Sequence, residues 1–143
     1  MARTTSRRAA RKAALELLYE ADLLERPVAT VLTERLRRPD ELPAYALELV
    51  RGVERNRQDI DALIAANARD WRLERMPVID RNLLRVGLYE LLHRDDVPLA
   101  VAIDEAVELA KELSTDDSPR FVNGVLARIM REHPRADANT DDA

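Results

Sequence analysis

The sequence contains no cysteine, only three glycines and only two histidines. The lack of cysteine excludes disulfide bonds, thiolate metal sites and a cysteine nucleophile. Because His93 and His133 are the only imidazoles, a metal site with several histidine ligands is excluded as well. The scattered glycines form no phosphate-binding or dinucleotide-binding loop. We therefore expect no enzyme activity, no cofactor and no metal.

Long apolar runs are also missing. No segment approaches the roughly 20 apolar residues that a membrane-spanning helix needs. The apolar stretch 13–19, which follows the positive N-terminus, is interrupted by Glu16 and has the spacing of an amphipathic helix rather than of a signal peptide. With 143 residues the chain fits one domain. We expect a soluble, cytoplasmic protein.

Alanine, leucine, glutamate and arginine are abundant, and apolar residues recur at intervals of three and four. This pattern predicts an all-α fold of six to seven helices, with prolines at the joints. The expected helices span residues 6–24, 28–37, 44–55, 57–70, 78–93, 99–114 and 118–132. We expect a flexible N-terminus at 1–5, two helical sub-bundles at 6–70 and 71–133, and a disordered acidic tail at 134–143.

Positive charge is concentrated at the start of the chain, although the net charge is -4. On a helical wheel, Leu15 and Tyr19 lie beneath this basic cluster, away from the core-facing alanines and leucines. Cations oppose the positive end of the helix dipole, and RNA phosphates beside a stacking tyrosine would offset that cost. The alternative is that Leu15 and Tyr19 are buried and the cations form a solvated, frayed terminus. The cluster comprises Arg7, Arg8, Arg11 and Lys12.

Two residues near the middle of the chain stand out. Trp71, the only tryptophan, is expected to pack, because a large aromatic side chain dominates local burial. Asp80 falls on the apolar face of the helix predicted at 78–93, in its first turn. It could be a cap or ion-pair partner there, or it could contact a partner or RNA.

The last two helices carry further polar residues. Asp104, Glu108 and Glu112 form a stripe of like charge, which we interpret as solvated or partner-facing rather than catalytic. Ser118 followed by proline is typical of a helix N-cap. Arg120 and Phe121 follow at once. They could bind a nucleotide, or Phe121 could belong to the core; the residues alone leave both possibilities open.

These residues together resemble the NusB family of bacterial transcription antitermination factors. The resemblance extends over residues 6–130, and its last two motifs are the most specific. The matching segments are Arg7-Arg8-Ala9-Ala10-Arg11, Leu18-Tyr19, Trp71, residues 80–85, 88–91, 97–98 and 101–111, and Phe121-Val122-Asn123-Gly124-Val125-Leu126.

The resemblance implies two packed three-helix sub-bundles and a heterodimer with NusE, a small-subunit ribosomal protein. The pair would recognise single-stranded boxA RNA of ribosomal RNA transcripts and act with RNA polymerase in an antitermination complex. Asp80 would lie near the meeting point of the RNA and partner surfaces. The residues implied on or beside the RNA surface are Arg7, Arg8, Arg11, Tyr19, Asp117, Arg120 and Phe121.

The sequence departs from the family at Asp104, where many relatives have asparagine, in the unmatched segment 28–45, and in the acidic tail. One alternative function is an RNA-binding or protein-interaction module, either a scaffold or a homodimer, without antitermination activity. A related module fused to RNA cytosine methyltransferases is another, but the sequence shows no cofactor-binding α/β domain.

Overall fold

The computed structural model describes residues 6–69 and 71–133, and in these residues the chain is helical with no β-strand. A short 3-10 helix, Leu73–Arg75, joins the fourth and fifth α-helices. The all-α prediction is confirmed. The seven α-helices are α1 Arg7–Leu23, α2 Val28–Leu36, α3 Ala44–Arg55, α4 Arg57–Asn67, α5 Val78–His93, α6 Leu99–Leu113 and α7 Ser118–Glu132.

Prolines set the starts of four of these helices. Pro27, Pro43, Pro77 and Pro98 each occupy the position just before a helix, with ψ between 137° and 143°. An extended proline stops any helix that precedes it, while its carbonyl still accepts a first helical hydrogen bond. The starts of α2, α3, α5 and α6 therefore coincide with those predicted.

Most predicted helix bounds agree with the structure to within one residue, but the end of α4 and the N-cap of α7 differ from the prediction. α4 ends at Asn67, where residue 70 was expected, because Ala68 leaves the helical conformation with φ -98° and ψ 78°. At α7, Ser118 was expected to be the N-cap, but it is the first helical residue and Asp117 holds the cap position without a side-chain bond. The Ser118 hydroxyl donates to Asp80 at 2.8 Å and accepts from the N–H of Thr115 at 3.3 Å.

α5 is the central helix of the bundle. It contacts α1, α3, α4, α6 and α7, and every residue from 82 to 91 is buried. Gly87 allows a close approach of α7, since a Cβ there would lie 2.9 Å from a methyl group of Leu126. α5 thus packs against both α1 and α7, which carry the candidate functional residues.

The helices share one continuous apolar core. α1 packs against α2 and α3, while α5, α6 and α7 pack on one another. α4, which the predicted boundary at residue 70 assigns to the first half, contacts α3, α5 and α7. The division into units 6–70 and 71–133 therefore stays a prediction. The expected flexible N-terminus at 1–5 and acidic tail at 134–143 lie outside the described residues.

A polar network ties α1, α4 and α5 together beneath the surface. Asp22 on α1 accepts hydrogen bonds from Arg81 at 2.6 Å and from Arg85 at 3.1 Å, and Arg85 also donates to Asp61 on α4 at 2.8 Å. Burial opposes ionisation of Asp22, but the hydrogen bonds from Arg81 and Asn82 outweigh it and lower the pKa of the carboxyl to about 2.

Candidate nucleic-acid interface

The start of α1 brings its four basic side chains into contact with the second half of the chain. Ser6 caps the helix, since its Oγ accepts a hydrogen bond from the Ala9 N–H at 3.1 Å, and no acid occupies the first turn. The expected conflict between these cations and the helix dipole is therefore present.

Carboxylates of the same chain offset that conflict. Arg7 pairs with Asp96 at 2.8 Å, and Lys12 pairs with Glu112 at 2.8 Å. Arg8 donates two hydrogen bonds to Glu105, at 2.6 and 3.0 Å. The bond from Arg8 lowers the pKa of Glu105, and bonds from Arg94 and Arg7 hold the pKa of Asp96 well below its usual range. The basic cluster is thus internally neutralised rather than solvated and frayed.

Arg11 is not at the surface. Its residue is 5% exposed, and its guanidinium donates to Glu90 at 3.0 Å and lies 3.4 Å from Glu105. Leu15 is fully buried and Tyr19 is half-buried, which agrees with the alternative in which both side chains pack against the rest of the protein. The helical wheel placed Arg11 beside the surface cluster, but α1 packs against α2, α3 and α5, and Arg11 lies within that packing.

Tyr45 on α3 organises this region, and no local sequence pattern indicated it. Its hydroxyl donates to Glu90, and its ring lies under the guanidinium of Arg7 at 4.1 Å and near that of Arg94 at 5.1 Å. Burial and the bond to Glu90 raise the pKa of the Tyr45 hydroxyl. Arg7 and Arg11 are therefore held in place by cation–π contact as well as by ion pairs.

The turn between α6 and α7 is anchored by Asp80. Its carboxylate is fully buried and accepts hydrogen bonds from Ser114 Oγ at 2.6 Å and Ser118 Oγ at 2.8 Å. A surface position for Asp80 was expected as one possibility, and the structure instead gives it the structural role. Asp80 can influence a partner or RNA surface only by positioning this turn.

The residues just after that turn present a second basic and aromatic cluster. Asp117 and Arg120 are exposed, and Phe121 is half-buried. Phe121 packs edge to face against Trp71, with ring centroids 4.9 Å apart. Trp71 packs as predicted, yet it remains 37% exposed.

The two clusters come near each other at the C-terminal end of α6, where Lys12 is the member of the α1 cluster that reaches it. Lys12 on α1 bonds Glu112 near the end of α6, and Ser114 follows two residues later in the turn that leads to Arg120 and Phe121. Members of the acidic stripe predicted on α6 have different partners. Glu112 bonds Lys12 on α1, while Glu108 bonds Lys111 on its own helix. Glu105, one position away from that stripe, was not singled out from the sequence.

The part of the chain that the structure describes was compared with two further kinds of site, a metal centre and a membrane span. Within residues 6–69 and 71–133 no three or more acidic or histidine side chains are grouped so that they could hold a metal ion. Over the same residues no helix combines the length and the apolar character needed to cross a bilayer.

The fold and this interface define a class: a small all-α protein with cationic and aromatic side chains on its first and last α-helices. The NusB family model matches residues 8–131. The chain belongs to the NusB family.

Relatives and solved structures agree over most of the chain. The transcription antitermination protein NusB of Saccharopolyspora erythraea is 60% identical over 127 residues, which are 87% of this chain and 86% of that protein. The T. maritima NusB structure has a TM-score of 0.85 at 36% identity, covering 99% of this chain and all of that one. A structure of antitermination factors NusB and NusE in complex with dsRNA has a TM-score of 0.73 at 27% identity, covering 89% of this chain and 97% of that chain.

Proposed function

We propose that this protein is a transcription antitermination factor of the cytoplasm that binds RNA together with NusE and recognises the boxA element of ribosomal RNA transcripts. Membership of the NusB family supports antitermination. The solved complex that contains NusB, NusE and RNA supports the two partners. The recognition of boxA and the action with RNA polymerase in an antitermination complex are supported by the resemblance of the sequence motifs to the NusB family.

The observation that carries the proposal is the grouping of two basic and aromatic clusters around the end of α6. Arg8 and Lys12 on α1 bond Glu105 and Glu112 on α6, and Tyr19 lies about two turns further along α1. Arg120 and Phe121 lie in the first turn of α7, which follows α6. Arginine and lysine neutralise phosphates, and aromatic rings stack on unpaired bases. An RNA strand crossing the end of α6 would meet both kinds of contact.

The residues have different roles in this proposal. Arg8, Lys12 and Arg120 contact phosphates, and Arg7 assists them from the edge of the cluster. Tyr19 and Phe121 stack on bases, and Asp117 borders the RNA. Because they are buried, Arg11 and Asp80 act as positioning residues that hold α1 and the turn before α7.

RNA binding is tested by titrating a boxA-like single-stranded RNA, with and without NusE, across a salt series. The slope of log K against log salt is negative, and each lost phosphate contact should reduce its magnitude by about 0.7. Arg8→Gln combined with Lys12→Gln should flatten the slope, and Tyr19→Ala should weaken binding with little change of slope. Arg37→Gln combined with Arg51→Gln, which removes two exposed charges from α2 and α3, is the matched control.

Antitermination is tested by transcription through a terminator placed downstream of boxA, with purified RNA polymerase and NusE. Readthrough should rise when the protein is added and fall when boxA is scrambled. Tight boxA binding without any gain in readthrough would favour the alternative function, an RNA-binding or scaffold module. Sedimentation of the protein alone distinguishes a monomer from a homodimer that covers α1.

A further inference from the structure

A groove beside the candidate interface is not explained by the roles assigned so far. It runs between the end of α4 and the outer face of α7, at the Trp71–Phe121 pair. The two ring planes meet at 79°, so the rings do not cover each other face to face. Trp71 is one of the few large apolar residues that remain exposed.

The groove has two shallow compartments, one on each side of the aromatic pair, and Arg69 lines both. The first, of about 450 Å³, is bounded by Arg69, Trp71 and Arg72, with one acidic residue, Glu74. The second, of about 250 Å³, is bounded by Arg69, Arg120 and Phe121, with Gly124 at its edge. We call these two compartments the α4–α7 groove.

The charge of the α4–α7 groove differs from that of the α1 cluster. Every cation of the α1 cluster has a carboxylate partner, whereas Arg69 and Arg120 are exposed and have no acidic partner among residues 6–69 and 71–133. The buried Nε of Arg128, another lining residue, makes no hydrogen bond and lies 3.5 Å from Glu132. Uncompensated positive charge therefore lies at Arg69 and Arg120, whereas Arg72 and Arg128 pair with Glu74 and Glu132.

Gly124 gives an independent indication. It lies inside α7 and is exposed, and a Cβ added to it would meet nothing within 4 Å. At Gly52 and Gly87, by contrast, a Cβ would collide with Tyr89 and crowd Leu126. Glycine is a poor helix former, and packing gives no reason for it at position 124. A glycine on an open helical face lets a ligand approach the backbone closely.

From these features we infer that the α4–α7 groove is an RNA-binding site that takes unstacked nucleotides of a single strand. Arg69 and Arg120 hold the phosphates, Trp71 and Phe121 contact the bases, and Gly124 leaves room for the strand against α7. Exposed aromatic rings beside unpaired arginines are the elements by which proteins bind single strands. The inference rests on the proposed RNA binding and extends it to Arg69, Trp71 and Gly124.

The protein carries its own probe for this site, because Trp71 is its only tryptophan. A boxA-like single-stranded RNA is titrated into the full chain while Trp71 fluorescence and RNA anisotropy are recorded together. We expect saturable quenching of Trp71 at the same RNA concentrations that raise the anisotropy. Arg69→Gln combined with Arg120→Gln should weaken binding about tenfold or more and lower the salt slope. Arg37→Gln combined with Arg51→Gln should leave both signals unchanged.

Gly124→Ala separates ligand contact from stability. The added methyl group meets no protein atom and improves helix propensity, so the melting temperature should rise by a few degrees. RNA binding should nevertheless weaken several-fold, and Gly124→Gln should weaken it further while the helical circular dichroism is retained.

The outcomes are distinguishable. RNA binding by wild type that is unaffected by the Arg69, Arg120 and Gly124 variants, with no quenching of Trp71, overturns the groove and leaves the proposed function intact. Absence of RNA binding by wild type, with and without NusE, overturns both. Quenching by duplex RNA but not by a single strand, or by NusE alone, assigns the groove to another ligand and also overturns the inference.

Discussion

Glu25 closes α1 in the left-handed region, with φ 53°. The N–H of Arg26 donates to the carbonyl of Ala21 at 2.8 Å, and that of Glu25 donates to Asp22 at 3.2 Å. This is a Schellman ending, in which glycine is the usual residue at the left-handed position. A side chain with a Cβ is strained there.

Replacing Glu25 with glycine should therefore stabilise the protein. The relief of left-handed strain exceeds the entropy that glycine loses on folding, and we expect a gain of about 0.5–1 kcal/mol in the free energy of unfolding. Urea unfolding followed by circular dichroism measures it. Glu16→Gly, at an exposed position inside α1, is the control and should destabilise by about 1 kcal/mol. A loss of stability in Glu25→Gly would contradict the strain argument.

Gly52 on α3 should tolerate no side chain. A Cβ there would overlap the ring of Tyr89 and lie 2.6 Å from its hydroxyl oxygen, which bonds Glu48. Since the ring is buried and tethered, Gly52→Ala should destabilise by about 1–3 kcal/mol. The melting temperatures of Gly52→Ala and Gly124→Ala are measured together, which compares the same added methyl group at a crowded and at an open glycine. Equal melting temperatures would show that Tyr89 moves aside freely.

At the scale of helices, local rules predicted most of the fold. The apolar spacing of three to four residues predicted the helices, and the prolines predicted where α2, α3, α5 and α6 begin. The structure has these four helix starts at the predicted residues. The buried sides of α1 were harder to predict, since a helical wheel contains no information about the other helices that pack against α1. The partners of Arg8 and Arg11 are Glu105 and Glu90, which are 97 and 79 residues away, and no local pattern encodes such pairs.

The pairing of α1 with α6 has a consequence for RNA binding. If Arg8 binds phosphate, the RNA must replace Glu105 as its partner. Glu105→Gln removes that competitor, so the affinity for boxA-like RNA should increase by about two- to fivefold at low salt, the range expected of a partly exposed ion pair. The readout is the dissociation constant measured by anisotropy.

Asp104→Asn is the matched control for Glu105→Gln. Asp104 is the neighbouring residue on α6, carries the same charge and is exposed, with no ion pair to the described residues. If both variants raise the affinity equally, net charge alone is responsible and the exchange of Glu105 for phosphate is wrong. If neither variant changes it, Arg8 keeps Glu105 while RNA is bound.

At the scale of the whole molecule, the network of Asp22, Arg81, Arg85 and Asp61 joins α1 and α4 to the central helix. Position in sequence could not predict it, because Asp22 and Arg81 are 59 residues apart. The network holds the end of α1 against α5, while Glu90 and Glu105 hold its start. The interface on α1 is therefore positioned from both ends, and its geometry depends on the stability of the whole bundle.

The same network predicts a pH dependence of stability. Asp22 has a folded pKa of about 2, below the ordinary value of 3.8, so its ionised form stabilises the fold. This contribution is fully present above pH about 4 and is lost as the pH falls through 2. Asp22→Asn should lower the free energy of unfolding at pH 7 by on the order of 1–2 kcal/mol, since it leaves Arg81 and Arg85 less well paired.

Urea unfolding of wild type and Asp22→Asn at several pH values tests this prediction. The difference between the two proteins should be constant from pH 7 to about 4 and should shrink towards pH 2, where wild-type Asp22 takes up its proton. Asp95→Asn, at an exposed position in the turn before α6, should show no such difference. A gap between wild type and Asp22→Asn that persists unchanged at pH 2 would mean that the shape of the side chain, and not its charge, holds α1 to α5.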